Sequence, residues 1–150
     1  MVSNTIRKAK IDDVEQVAGL FNDYRQFYEQ ADDIELAQQF IGSRVTHHDS
    51  VILVAENQMQ QIVGFCQLYP AFCSILALPI YILYDLFVAQ SARKTGVGKS
   101  LMLAAHEHAK NNGYARLDLT TAKNNHQAQA LYESLGWERD DVFYAYTKVV

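Results

Sequence analysis

The stretch Arg93-Lys94-Thr95-Gly96-Val97-Gly98-Lys99-Ser100 decides how this chain is read. It follows an apolar run over 83–88 and opens a helical pattern through Leu101, Met102, Ala105 and Ala109. A strand therefore ends, glycines turn the chain, and a helix begins. The start of a helix leaves backbone N–H groups without intrahelical partners beside the positive end of the helix dipole, which suits a phosphate or pyrophosphate. An anionic ligand is the first expectation.

Two phosphate-binding patterns fail on single residues. Gly98-Lys99-Ser100 imitates the end of a P-loop, GxxxxGK[ST], but the glycine that must open that loop is Arg93 here, and its turn needs a residue without a Cβ. The dinucleotide pattern GxGxxG starts at Gly96 and Gly98 and then requires glycine where Leu101 stands. What survives is [Arg/Gln]-x-x-Gly-x-[Gly/Ala], filled by Arg93, Gly96 and Gly98. A second block reads Asn125-x-x-Ala128-x-x-Leu131-Tyr132-x-x-Leu135-Gly136-Trp137. Together the two blocks resemble the coenzyme A signature and the next helix of the GNAT family of N-acetyltransferases, with a likeness to its spermidine/spermine acetyltransferase branch.

Composition sets the frame. A chain of 150 residues with 49% hydrophobic content can bury one good core. It carries only two prolines and no linker, repeat or long charge block, so 1–150 is expected to be a single domain. The formal net charge of −4 argues against a nucleic-acid partner. Residues 1–10 lack an apolar stretch that would serve as a secretory signal. The longest apolar region, 71–88, is broken by Ser74, Pro79 and Asp85, so no membrane span is expected and the default location is cytoplasmic. Cys66 and Cys73 form no CxxC and are read as reduced thiols.

Along the chain, 5–9 is a short strand. Asp12-x-x-Glu15 imitates a capping box ahead of Val14, Val17, Phe21, Tyr24 and Tyr28, which share a helical face. A second helix is expected over 34–45. Strands over 50–56 and 62–74 form a hairpin about the polar turn 57–61. A strand over 80–88, a helix over 97–111, a strand over 116–121, a short helix over 126–135 and extended segments at Trp137 and 142–149 follow. The order is β-α-α-β-β-β-α-β-α-β, an α/β fold with a mixed, mostly antiparallel central sheet and helices on both faces. It matches the GNAT order nearly from end to end.

The resemblance implies a donor and a place for it. Acetyl-CoA would bind in a notch where the strand before the glycine loop parts from the next strand. Leu86, Phe87 and Val88 would offer backbone groups to pantetheine. Backbone N–H groups across Lys94, Thr95, Gly96, Val97, Gly98, Lys99 and Ser100 would take the pyrophosphate, with Arg93, Lys94 and Lys99 adding charge. The chain departs from the family at Gln90, where proline is frequent, and at Lys94, where glycine is usual; Lys94 is expected to avoid positive φ. Asn125 matches a position that contacts the cofactor, and equally suits a helix cap.

The implied reaction is direct attack of a primary amine on the acetyl thioester, leaving coenzyme A as product. Reaching the free base of a lysine-like amine at neutral pH costs roughly 4 kcal/mol, so a group that removes the proton is expected. Asp85 is one candidate. Relatives often read Leu-Glu-Asp where this chain reads Leu83-Tyr84-Asp85, and alternate strand residues point to opposite faces. Tyr84 with a water is therefore the other. Tyr132, at the family's tyrosine position, would protonate the departing thiolate.

The N-terminal helices would form the acceptor wall. Tyr24, Tyr28, Glu29, Asp32, Asp33 and Glu35 lie there, and an acidic, aromatic rim favours a small cationic amine. A peptide or protein amine, or a non-catalytic acyl-CoA-binding regulatory module, are the alternatives. His106 and His108 are two apart on a helix and do not share a face as metal ligands would, so no metal is expected. The 143–149 segment would suit pairing across a homodimer.

Overall fold

The computed structural model describes residues 3–150; Met1 and Val2, which begin the stretch read for a signal, lie outside the described residues. The chain divides into two compact units, Met1–Leu119 and Thr120–Val150.

The first unit contains β1 (Thr5–Lys8), α1 (Val14–Phe27), α2 (Ile34–His47), β2 (Val51–Glu56), β3 (Ile62–Cys73), β4 (Leu78–Val88), α3 (Val97–Asn111) and β5 (Leu117–Asp118), with single 3-10 turns at Ile11–Asp13 and Gln90–Ala92. The five strands lie in chain order. The first three junctions are antiparallel and β4–β5 is parallel.

The start of α1 corrects the expected cap. Asp13, not Asp12, accepts from the Lys10 N–H at 2.7 Å. Arg7 grips the same carboxylate at 2.7 and 2.9 Å and reaches Glu56 at 2.8 Å, tying β1, β2 and the entry to α1 together. The Arg7 guanidinium holds the Asp13 carboxyl below its usual range.

Strand alternation distributes the helices. Ile52, Val54 and Phe65 pack with Val17, Phe21, Ala37 and Ile41 of α1 and α2. Gly64 and Cys66 face the other way, toward α3: the Cys66 thiol lies 4.0 Å from the Leu101 carbonyl. A Cβ at Gly64 would meet Val97 Cγ1 at 2.9 Å, so only glycine lets the first turn of α3 close on β3. Burying a side chain such as Phe65, Ile41 or Leu101 contributes about 1.5–3 kcal/mol each.

Two irregularities shape β4. Gln67 pairs with Asp85 and Leu68 with Leu83, leaving Tyr84 as an extra, bulged residue. On its other side β4 meets β5 only at Tyr81 and Ile82. The strand expected over 116–121 is accordingly reduced to two residues.

The second unit is built on α4 (His126–Ser134). Asn125 Oδ1 caps it by accepting from the Ala128 N–H at 3.2 Å. Gly136, at φ 89°, turns the chain out, and the Trp137 N–H closes on the Tyr132 carbonyl at 3.0 Å. The extended segment expected over 142–149 forms no strand among the described residues. The Val142 and Phe143 N–H groups, which would start a ladder, both donate to the Asp140 carboxylate at 3.2 Å. The observed order thus ends on α4. No helix among the described residues is long and apolar enough to cross a membrane.

Candidate active site

The expected notch has a backbone counterpart. Beyond Ile82, residues 83–88 of β4 keep β3 along one edge and have no strand along the other among the described residues. That edge leads through the 3-10 turn to the start of α3. The first α-type bond there runs from Ser100 N–H to Gly96 O at 3.0 Å. The Val97, Gly98 and Lys99 amides precede it, and Gly96 supplies no capping side chain. An uncapped N-terminus with exposed Arg93, Lys94 and Lys99 around it is the donor set a pyrophosphate needs. Acetyl-CoA fits this chain on that ground.

Several expected ligands are modified by what they already touch. The Ser100 amide is committed to the helix. Arg93 Nε donates to the Val88 carbonyl at 3.0 Å, and its guanidinium stands 5.3 Å from the Phe87 ring centroid. Arg93 therefore braces the loop against β4, and the Val88 carbonyl is taken. Leu86 and Phe87 are half-buried, with Phe87 packed against the core. Lys94 has φ 63°, contrary to the expectation that it would avoid this region. A left-handed lysine costs about 1–2 kcal/mol. Lys94 sits inside the turn that the Thr95 hydroxyl closes by donating to the Ala92 carbonyl, just ahead of Gly96 at φ 85°, and that turn retains the strain.

Asp85 is 2% exposed and faces the α1 side of the sheet with Gln67 and Phe87, whereas Tyr84 is 65% exposed. Gln67 Nε2 donates to Asp85 Oδ2 at 2.6 Å, and the Ser50 hydroxyl donates to Gln67 Oε1 at 2.7 Å. From α1 the Tyr24 hydroxyl donates to the Tyr84 carbonyl at 3.1 Å and stands beside the Asp85 carboxyl. Burial pushes the Asp85 carboxyl above the usual carboxylate range, while the Gln67 bond and the neighbouring Tyr24 hydroxyl pull the other way. Burial, and then the Asp85 charge, push the Tyr24 and Tyr69 phenols up. No ion pair among the described residues involves Asp85.

An aromatic wall stands around this carboxyl. Tyr24 meets Tyr28 edge-on at 5.1 Å, Tyr28 meets Phe27 at 5.2 Å, and Tyr69 meets Tyr84 at 5.7 Å. Glu29 is exposed at φ 64°. Two other acidic residues of the rim, Asp33 and Asp32, hold the fold. Asp33 caps α2 through the Leu36 N–H at 3.1 Å, and Asp32 accepts from the buried Asn22 amide at 2.8 Å.

In the second unit, Tyr132 lies on α4 with its ring 6.2 Å from Trp137. Asn125 serves as the cap. His108 is half-buried beside the Tyr81 hydroxyl at 3.3 Å. Both cysteines are free, and burial pushes the Cys66 thiol up to about 12. No group of three His, Cys, Asp or Glu residues among those described could hold a metal. Sequence reasoning passed over Gln67, Ser50 and Gly64. Only Gln67 left a signal, as the one amide within the apolar run 62–73.

The acetyltransferase (GNAT) family model matches residues 16–137. The chain belongs to the GNAT acetyltransferase family. It is an acetyl-CoA-dependent acyltransferase. It is 46% identical over 141 residues to the uncharacterized N-acetyltransferase YhfO of Bacillus subtilis (strain 168), covering 94% of each chain. A crystal structure of a probable acetyltransferase superposes with a TM-score of 0.91 at 33% identity over 97% of both chains. An aminoglycoside N-acetyltransferase, AAC(6')-Iy in complex with CoA, shares the fold at a TM-score of 0.81 and 19% identity, covering 99% of this chain and 96% of that one.

Proposed function

We propose that this acetyltransferase modifies a small cationic primary amine, which attacks the thioester directly within a ternary complex. The observation that carries this reading is the Asp85 carboxyl, buried without an ion pair among the described residues, behind a wall of Tyr24, Tyr28, Tyr69 and Tyr84. Aromatic faces attract an ammonium ion through their quadrupoles, and a carboxylate made more basic by burial can then remove its proton.

When bound, acetyl-CoA supplies an acetyl thioester. Val97, Gly98 and Lys99 would bind its pyrophosphate through their amides with Arg93, Lys94, Thr95 and Gly96 shaping the loop, and the open edge at Leu86 and Phe87 would take pantetheine. Tyr84 presents its ring on the exposed side of β4, with Tyr28 and Glu29 beside the amine's entry. The Tyr24 hydroxyl would turn from the Tyr84 carbonyl to Asp85, giving its proton to the carboxylate as its oxygen takes the amine proton. Tyr132 donates its phenolic proton to the leaving sulfur. In this reading 1–150 works as one acetyltransferase domain.

The test is a pair of amines with matched pKa, one carrying a second positive charge, assayed by thiol release. The dication is expected to turn over faster at low salt, with the advantage shrinking as ionic strength rises. Equal rates at low salt contradict the cationic specificity.

A further inference from the structure

Gln67 is fully buried at the centre of the sheet. An amide there is expensive unless both of its ends are bonded, and both are: Oε1 accepts from Ser50 at 2.7 Å and Nε2 donates to Asp85 at 2.6 Å. The fold does not need this polarity. The Gln67 and Asp85 backbones are already paired in the β3–β4 ladder, and Phe65, Cys66 and Leu68 beside Gln67 are apolar and fully buried. Ser50 gives the arrangement its sense. By donating to Oε1 it turns the amide so that the N–H, and not the oxygen, faces the carboxyl.

We propose that Gln67, oriented by Ser50, is a positioning residue that favours the charged form of the Asp85 carboxyl and fixes it for proton transfer. The inference rests on the reading of Asp85 as proton acceptor. Its chemistry follows from what surrounds the carboxyl. Tyr24 approaches from α1, Tyr69 from β3 and Tyr84 from β4, with the Cys66 thiol on the opposite face of β3 and Arg44 and Asp49 acting on Tyr69 from farther off. The bond to Asp85 comes from the neutral Gln67 amide, with the neutral Tyr24 hydroxyl beside it, and not from a cation. An arginine partner would hold the carboxyl far below neutrality and make it a poor base. The neutral Gln67 donor offsets part of the burial and leaves the carboxyl able to take a proton at Oδ1 while Oδ2 stays bonded to Gln67.

The test follows the Asp85 carboxyl by carbon NMR of protein labelled at aspartate, with Asp85→Asn assigning the resonance. The same variants are assayed for the pH profile of kcat/KM with a diamine and acetyl-CoA. Gln67→Met keeps the volume and removes the donor. It is expected to move both the Asp85 titration and the acidic limb of the profile upward by about one pH unit, with the KM for acetyl-CoA unchanged. Ser50→Ala is expected to shift both the same way by less, and Ser50→Thr to restore the wild-type values. A loss of rate at every pH without movement of the titration or the limb, in either Gln67→Met or Ser50→Ala, overturns the positioning role. If Asp85→Asn keeps the wild-type rate and limb, it is the reading of Asp85 as proton acceptor that fails, a result distinct from the first.

Discussion

The Tyr24 hydroxyl donates to the Tyr84 carbonyl at 3.1 Å, tying α1 to the one residue of β4 that has no opposite number in β3. The bulge explains the bond. An inserted residue leaves the ladder, its carbonyl needs another donor, and Tyr24 supplies it while standing beside Asp85. The same bulge turns Tyr84 outward and Asp85 inward, so the two residues weighed as alternatives for deprotonation receive different environments.

Tyr24→Phe removes this hydroxyl and keeps the ring that packs against Phe65 and Phe87. It is expected to lower kcat by about 10²-fold, the lower end for assisted proton transfer, with the KM for acetyl-CoA unchanged. Steady-state kinetics in both substrates check this.

Asp85→Asn is expected to lower kcat/KM by about 10²–10⁴-fold. Its effect on stability has the opposite sign. Because the folded carboxyl titrates above its unfolded value, its contribution is fully present below the unfolded value and declines as pH rises through the folded one. The neutral asparagine escapes that decline. Melting temperatures of the two proteins are expected to lie close together near pH 4 and to separate in favour of Asp85→Asn toward pH 8.

Much of this molecule was legible before folding because periodicity and turn chemistry are local. The helix over 97–111 needed only its apolar spacing and the glycines before it, and the β2–β3 hairpin only the polar turn, where Asn57 Oδ1 accepts from the Met59 and Gln61 N–H groups at 2.9 Å each. What escaped is set by pairing between distant segments. The bulge at Tyr84 exists only in register with Gln67. The Ser50–Gln67–Asp85 chain joins residues from three parts of the sequence. The positive φ of Lys94 is imposed by the loop around it. The segment 142–149 has strand composition, yet Asp140 takes its first amides.

Gly96→Asp isolates the phosphate site. Nothing lies within 4 Å of the Cβ that would be added, so no clash is created. A side chain at φ 85° and a negative charge beside the helix start both oppose anion binding. Acetyl-CoA affinity by calorimetry is expected to fall at least about tenfold, a change of 1.4 kcal/mol.

Tyr132→Phe is expected to keep acetyl-CoA affinity and lower kcat by about 10²–10⁴-fold, as for loss of a general acid. The deficit should appear in kcat more than in the acceptor KM. It should narrow with an acyl donor whose thiol is more acidic, because such a thiolate leaves with less need of a proton.

The most direct measurement is amine-dependent release of free thiol from acetyl-CoA, followed together with mass detection of the acetylated amine across a panel of diamines, amino acids, aminoglycosides and short peptides. The account predicts that thiol and acetylated product appear in equal amounts, that cationic small amines give the highest kcat/KM, and that Asp85→Asn abolishes most of the signal while still binding acetyl-CoA. Tight binding of acetyl-CoA by the wild-type protein with no thiol release on any amine of the panel would contradict it and mark the chain as an acyl-CoA-binding module.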